Sequence, residues 1–335
     1  MRRRTLALAS CLLVAFSLTL GGCTQAQTSV QPAAGEEVQQ VQEQQPAPQQ
    51  QPTQQQEAAQ QPETEPVQQQ PASPEATYSY RTQELYAQRG ENWIYGVVYI
   101  PQGAGDKMPA VIFSHGFGGT HAVGSTYAVG STYAEALAEK GYVVYCFDFC
   151  GGSPGSCSDG STLEMSLFTE QADLEAVISM VQQLDYVDSD NLFLMGSSQG
   201  GAVSAITGAA HPDEIRGMVL LYPAFVMVDA ANSLFASAEQ IPETYYFMWM
   251  NVGRAYFEPL LDYDIYGAIA AYDRDVLLIH GDADSIVPLE YSQRALQAYP
   301  SAELEVIPGA GHEFYGEDAQ QAIACMLDYL QAHLV

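Results

Sequence analysis

The sequence predicts an α/β fold on a mostly parallel sheet flanked by helices, with one insertion over the sheet edge. Three observations carry this. Short, nearly continuous apolar runs recur from residue 108 onward, the mark of strands buried on both faces. Segments of helical period separate them, and such alternation builds a parallel sheet with right-handed crossovers. One interval, 223–272, is far longer than a single helix between two strands requires.

The elements follow in order. "YRTQELYAQRGENWIYGVVYIP" is two alternating runs joined at Gly90-Glu91-Asn92, the pattern of a hairpin. "MPAVIFSH" (108–115), "YVVYCFDF" (142–149), "NLFLMG" (191–196), "GMVLLY" (217–222), "DVLLIH" (275–280) and "ELEVIP" (303–308) are the buried strands. "TEQADLEAVISMVQQL" (169–184) places apolar residues at 174, 177, 178, 181 and 184, one face of a helix. The stretches after Gln199, at 289–299 and at 318–334 read likewise. Residues 223–272 hold "ETYYFMWM" and "RAYFEPLLDY" and read as a cap rich in Tyr, Phe, Met and Trp. The hexapeptide VGSTYA occurs twice in tandem at 123–134. Six residues advance a helix by about 600°, which would rotate an apolar face away from the core. The extra copy is therefore expected in a loop before a helix starting near Ser131.

The first 77 residues differ from the rest. Arg2, Arg3 and Arg4 precede an apolar run, Thr5 to Leu20, that ends in Leu20-Gly21-Gly22-Cys23. A basic, then apolar, then small-residue order is that of a secretory signal over residues 1–22. The run is short for a membrane span, which needs about 20 apolar residues. Its ending resembles a bacterial lipobox, which implies cleavage before Cys23 and a lipid on that cysteine. Residues 23–77 then read as a Gln/Pro-rich tether with no Lys or Arg and too little apolar surface to offset the entropy of ordering. The folded domain is expected over 78–335. These segments predict an exported protein, lipid-anchored to the outer face of a bacterial cell membrane.

Charge and cysteines narrow the function classes. The chain has 11 basic and 40 acidic residues. Residues 1–22 hold three of the basic ones and none of the acidic, which leaves 8 against 40, a net of −32. Nucleic acid is therefore not an expected partner, since its phosphates draw Lys and Arg; neutral or weakly charged small molecules are. No CxxC or HExxH spacing occurs, so neither a metal nor a cofactor is expected. Cys150 and Cys157 flank the turn-rich Gly-Gly-Ser-Pro-Gly-Ser and could close a small loop as a disulfide, while Cys146 lies in a buried strand.

"GSSQG" (196–200) follows a predicted strand and opens a predicted helix. In that context Gly-x-Ser-x-Gly is a nucleophile elbow, with the central residue, Ser198, as nucleophile. A serine hydroxyl needs a base, and the base an orienting acid. In this architecture they follow in the order Ser, Asp or Glu, His. "LLIHGDADSIVP" supplies Asp282 and Asp284 after one strand, and "IPGAGHEF" supplies His312 after the next. All three positions fall at the carboxyl edge of the sheet, where open α/β sheets carry their sites. "SHGFGG" (114–119) is a glycine-rich loop after a strand, and the expected oxyanion donors are the amides of Phe117 and Gln199.

Together these residues resemble the α/β-hydrolase family over roughly 80–335. The motifs "HGFGG", "FDFCGGS" and "GSSQGG" are similar to those of the branch with bacterial feruloyl (cinnamoyl) esterases and monoacylglycerol-lipase-like enzymes. The family pattern Gly-x-x-Asp-x-x-Val-Pro is matched by Gly281, Asp284, Val287 and Pro288, which implies Asp284 as the acid. The resemblance implies a cap between the sixth and seventh core strands, where 223–272 falls. It also implies hydrolysis of feruloyl, cinnamoyl or other small acyl esters, free or polysaccharide-linked, through an acyl-enzyme. Ser197 stands where that branch often has His. Tyr245, Tyr246, Trp249 and Tyr256 are expected either to meet the substrate or to build the cap's own core. An acylglycerol lipase and a serine aminopeptidase share the fold; the latter would need acidic residues for an amine, and Glu243 and Glu258 leave that open. A silent surface-binding module is the alternative outside catalysis.

Overall fold

The computed structural model describes residues 77–121 and 129–335. The leader, Cys23, the tether apart from Thr77, and 123–128 of the duplicated stretch lie outside the described residues. In chain order the elements begin with β1 (Tyr80–Arg89), β2 (Asn92–Pro101), β3 (Met108–Ser114), α1 (Val129–Ala138), β4 (Val143–Phe147), α2 (Leu167–Val181) and β5 (Val187–Ser197). Then come α3 (Gln199–Ala210), β6 (Gly217–Leu221), α4 (Val226–Leu234), β7 (Thr244–Phe247), β8 (Met250–Gly253), α5 (Arg254–Phe257) and α6 (Ile265–Ile269). The chain closes with β9 (Val276–Gly281), α7 (Glu290–Ala298), β10 (Ala302–Ile307) and α8 (Glu317–Ala332).

Eight strands form one sheet in the order β1-β2-β4-β3-β5-β6-β9-β10. β1 and β2 are antiparallel with Arg89 opposite Asn92, so the turn is Gly90-Glu91 alone. Gly90 has φ +60°, which a two-residue hairpin turn demands at its first position. β2 runs antiparallel to β4, and all pairs from β4 to β10 are parallel. The sequence order reverses direction at β3, which pairs with β4 on one side and β5 on the other. Such a reversal opens a crevice at the carboxyl ends of the strands.

The continuous apolar runs follow from burial on both faces. Ala110 and Ile112 of β3, Leu192 and Leu194 of β5, and Leu278 of β9 enter one core cluster. Val111, Phe113, Phe193, Met195, Leu277 and Ile279 enter the other. Helix α2 covers the first face with Leu174, Val177, Ile178 and Val181; Leu184 lies past its end and is half-buried. Tyr133 and Leu137 of α1 and Met326 and Leu330 of α8 cover the second. Helix α1 starts at Val129, two residues before the expected Ser131. The start of α2 is a capping box. Ser166 Oγ accepts from the Thr169 amide at 3.1 Å, and Thr169 Oγ1 accepts from the Ser166 amide at 2.8 Å. Between β6 and β9 the chain leaves the sheet to form the cap, with its own antiparallel hairpin β7-β8.

The Cys150–Cys157 disulfide that the sequence allows is not formed. None of Cys146, Cys150, Cys157 and Cys325 is in a disulfide, with Cys150 buried and Cys157 exposed. Carboxylates hold this loop instead. The Cys150 amide donates to Asp173 Oδ2 at 2.8 Å, and the Cys157 amide donates to Asp148 Oδ2 at 2.6 Å. No helix among the described residues is long and apolar enough to cross a membrane.

Alkylation in denaturant without reductant, followed by peptide mass mapping, is expected to label both Cys150 and Cys157; an unlabelled pair linked in one peptide mass would contradict the structure. Ser166→Ala removes half of the capping box and is expected to lower stability by about 1 kcal/mol in urea unfolding.

Candidate active site

Ser198 sits between β5 and α3 with φ 52° and ψ −120°, a conformation L-residues seldom adopt. The surrounding glycines explain how the turn closes. A β-carbon on Gly196 would lie 2.2 Å from the Gly200 carbonyl oxygen, and one on Gly200 would lie 2.2 Å from the Ser114 carbonyl oxygen. Gly116, from the loop after β3, passes so close that its β-carbon would lie 3.1 Å from Ser198 Cβ. The Ser198 amide donates to the Leu221 carbonyl at 2.9 Å, and its carbonyl accepts from the Ala224 amide at 2.8 Å, which ties the turn to the end of β6.

His312 arrives on the loop after β10. Its Nε2 is 3.0 Å from Ser198 Oγ, and its Nδ1 is 2.7 Å from Asp284 Oδ2. Ser198, and not its neighbour Ser197, makes the contact. Asp284 is the aspartate on His312, whereas Asp282 accepts from the Gly309 amide at 2.6 Å and braces the loop leading to His312. Asp284 Oδ1 accepts from the amides of Ile286 and Val287 at 2.8 and 2.9 Å. Burial pushes the Asp284 carboxyl up, but hydrogen bonds from His280, His312 and the Val287 amide outweigh it and hold it well below the usual carboxylate range. The His312 ring rests on Tyr222, centroids 4.7 Å apart.

The loop 114–119 is locked by His115. Its Nδ1–H donates to the Gly116 carbonyl at 2.8 Å, and its Nε2 accepts from the Phe149 amide at 3.2 Å. Burial pushes its pKa down, which suits the neutral tautomer these two bonds need. The backbone N–H groups of Phe117 and Gln199 have no acceptor among the described residues, and both residues line the cavity above Ser198. Amides without an acceptor, on residues that line one cavity with Ser198, are the kind of donor a developing oxyanion requires.

That cavity has a volume of about 520 Å³ and is walled mainly by apolar side chains, among them Phe117, Met227, Phe247, Trp249, Tyr256 and Val287. The four cap aromatics expected there divide. Trp249 and Tyr256 line it. Tyr245 instead packs on Phe235 and Phe257, centroids 5.4 and 5.5 Å apart, inside the cap. Tyr246 is 66% exposed and does not line it. Strand alternation is the reason: Tyr246 leaves the face that Tyr245 and Phe247 share. Phe247 and Met248 line the cavity unforeseen, because the two-residue turn Met248-Trp249 carries the hairpin tip over Phe117. Trp249 lies over Gly118, where a β-carbon would meet its Nε1 at 2.5 Å. Glu243 and Glu258 do not line the cavity, and Glu258 pairs with Arg254 at 3.8 Å. Glu313 is the acidic side chain that does.

Two residues escaped the sequence reading. His280, wholly buried, sets Nε2 2.8 Å from the Val287 carbonyl and 3.3 Å from Asp284 Oδ2. Glu170, 1% exposed, accepts from Gln199 Nε2 at 2.7 Å. For Glu170 the signal was register: with Asp173 it falls on the stripe of α2 that continues through Leu174 and Val177. Burial pushes the Glu170 carboxyl up to about 8, opposed by the Gln199 hydrogen bond and helped by Asp173. Among the described residues no group of three or more His, Cys, Asp or Glu is placed to hold a metal ion.

The prolyl oligopeptidase family matches residues 129–335. An uncharacterized protein of Mycobacterium tuberculosis is 28% identical over 218 residues, 64% of this chain and 66% of its own length. The uncharacterized protein YfhR of Escherichia coli O157:H7 is 28% identical over 224 residues, 64% of this chain and 67% of its own. The chain thus spans about two thirds of these curated relatives. Est1E from Butyrivibrio proteoclasticus, solved with ferulic acid bound, superposes with a TM-score of 0.67 at 24% identity, over 74% of this chain and 98% of that one. Acetyl xylan esterase 1 from Thermoanaerobacterium does so at 0.55 and 21%, over 74% and 83%. A dipeptidyl aminopeptidase IV-like structure from Bacteroides ovatus does so at 0.57 and 20%, over 77% and 36%. At these identities the likeness establishes the fold, that of the α/β-hydrolases.

Gly200→Ala drives a β-carbon into backbone and is expected to lower Tm by 10 °C or more, on the order of 4 kcal/mol; a Tm within 2 °C would contradict the close approach. Glu170 gives a pH test. Unfolded glutamate ionises near 4.3, whereas the folded carboxyl keeps its proton to about 8. The folded state then binds the extra proton between those values, so this contribution to stability is full below pH 4 and is lost as pH rises through 8. The Tm of Glu170→Gln minus that of the wild type is expected to widen by several degrees from pH 5 to 9.

Proposed function

The chain belongs to the prolyl oligopeptidase family and has the α/β-hydrolase fold, and on that premise we propose that it is a serine carboxylic-ester hydrolase. The observation that carries this reading is the hydrogen-bonded run Ser198–His312–Asp284, at 3.0 and 2.7 Å, opening into an apolar cavity that is also lined by two residues whose amides have no acceptor among the described residues. Ser198 Oγ attacks the ester carbonyl as His312 Nε2 takes its proton. The charge that develops on the carbonyl oxygen is met by the amides of Phe117 and Gln199. Collapse expels the alcohol, which receives the proton from His312, and leaves an acyl group on Ser198. Water, deprotonated by His312, attacks that acyl group and releases the acid. Asp284, kept anionic, orients the imidazole and stabilises its cation.

The acyl group favoured by this cavity is aromatic or otherwise apolar. Trp249, Phe117 and Phe247 offer ring faces and edges to a planar acyl group. Tyr256 offers its ring alone, because its hydroxyl already donates to Gln199 Oε1 at 2.7 Å. A feruloyl or cinnamoyl ester fits these walls, and Est1E, of the same fold, has been solved with ferulic acid bound. A short acylglycerol fits the same walls less selectively. An aminopeptidase would want carboxylates converging on the amine, and the described part of the cavity has Glu313 alone. The Arg-rich start, apolar run and Cys23 support an extracellular enzyme tethered to the membrane by lipid.

Methyl ferulate and p-nitrophenyl butyrate are expected both to be cleaved, with Ser198→Ala lowering kcat by about 10⁴-fold or more. Trp249→Ala is expected to lower kcat/KM for the ferulate about tenfold and for the butyrate by less than threefold. Cleavage of butyrate without ferulate would remove the aromatic-acyl reading; turnover of neither would remove the esterase reading.

A further inference from the structure

Gln199 carries two jobs that the reaction by itself does not require together. Gln199 lines the cavity and its backbone amide has no acceptor among the described residues, while its side chain is buried at 2% exposure and held at both ends. Nε2 donates to Glu170 Oε2 at 2.7 Å, and Oε1 accepts from the Tyr256 hydroxyl at 2.7 Å. Glu170 is fixed in the first turn of α2, where its amide donates to the Ser166 carbonyl at 3.0 Å. Tyr256 comes from α5, within the cap. The Tyr256 ring also packs edge-on against Phe117, centroids 5.5 Å apart, and Phe117 carries the other amide without an acceptor among the described residues. One cap residue therefore touches both residues that would hold the oxyanion, and one buried acid anchors the far end.

We propose that Glu170 and Tyr256 are positioning residues, which act through the Gln199 side chain to aim the Gln199 amide and which couple the seating of the cap to the oxyanion hole. The inference rests on the ester-hydrolase reading and extends it: the cap is part of the rate machinery as well as a wall for the acyl group. The physical need is plain at this turn. Ser198 is held at φ 52°, and the peptide linking it to Gln199 begins a helix whose first amides have no helical partner. A long side chain free to swing there would let that peptide tilt. Clamped at both ends, it keeps the N–H aimed before charge develops, which is where preorganised donors gain their value. Burial keeps Glu170 protonated up to about pH 8. The acceptor oxygen is then one that a glutamine at 170 also presents.

The test compares Glu170→Ala, Glu170→Gln, Tyr256→Phe and the Glu170→Ala/Tyr256→Phe double variant on p-nitrophenyl butyrate at pH 7, well below each Tm. Removing a whole oxyanion donor costs about 100- to 1,000-fold in kcat, so loosening one is expected to cost about tenfold. The expected result is a kcat lower by that factor for Glu170→Ala and for Tyr256→Phe, with KM within twofold. Glu170→Gln restores kcat to within twofold of the wild type. The double variant loses little more than the worse single one, because both act through one side chain. Should Glu170→Ala not fold, Tyr256→Phe, which deletes one hydroxyl, and Glu170→Gln carry the comparison. A kcat within twofold of wild type for Tyr256→Phe, a loss confined to KM, or Glu170→Gln as slow as Glu170→Ala would overturn the proposal. The rate at which a fluorophosphonate labels Ser198 is measured in parallel on the same variants. A wild type that is labelled but cleaves no ester would count against the ester reading alone, and the labelling rates, which need the same donors, would then decide the positioning claim.

Discussion

Where β5 turns into α3, three chain segments meet with no room for a β-carbon. Gly196, Gly200 and the Ser114 carbonyl stand so close that any side chain at either glycine would strike backbone. That contact forces Ser198 into a conformation costing on the order of 1 kcal/mol or more for an L-residue. The parallel pairing of β5 with β3 and β6, and the bonds from the Ser198 peptide to Leu221 and Ala224, hold it there. The strain has a geometric result. The Ser198 hydroxyl stands above the sheet edge, at the height where the loops after β9 and β10 deliver Asp284 and His312.

Buried carboxylates shape the surroundings of this turn, and the donors near each decide how it behaves. Asp284 meets two histidines and two amides, and is held anionic. Burial pushes Asp148 up, but His121 and the amides of Cys157 and His121 bring it below its ordinary value. Glu170 has Gln199 as its neutral donor and an acidic neighbour in Asp173, and burial wins. The same residue chemistry thus supplies a fixed negative charge under His312 and a neutral hydrogen-bonding group under Gln199.

The cap divides its aromatic residues by depth. Phe235, Tyr245 and Phe257 pack on one another and give the cap a core. The hairpin tip leans Trp249 and Phe247 onto Phe117, an approach that Gly118 permits by having no side chain. Tyr256 belongs to both layers, buried against Phe257 and facing the cavity.

Much of this was legible in the residue pattern, and the reason is locality. Strands buried on both faces must be continuously apolar, so β3, β4, β5, β6 and β9 announce themselves within six or seven residues. The elbow's glycines mark a steric demand made by immediate neighbours in the chain, and the order of Ser198, Asp284 and His312 follows from where strands end. The residue pattern left a Cys150–Cys157 bridge only as a possibility, because proximity along the chain says nothing of what else reaches the loop; Asp148, two residues before Cys150, and Asp173, brought by α2, hold it. The cap aromatics could not be sorted by composition, since one step along β7 separates Tyr245 in the core from Tyr246 in solvent. Only the tertiary structure could bring Glu170, Gln199 and Tyr256 together. They come from a covering helix, the elbow and the cap, up to 86 residues apart, and a hydrogen bond of 2.7 Å depends on packing that no single segment encodes.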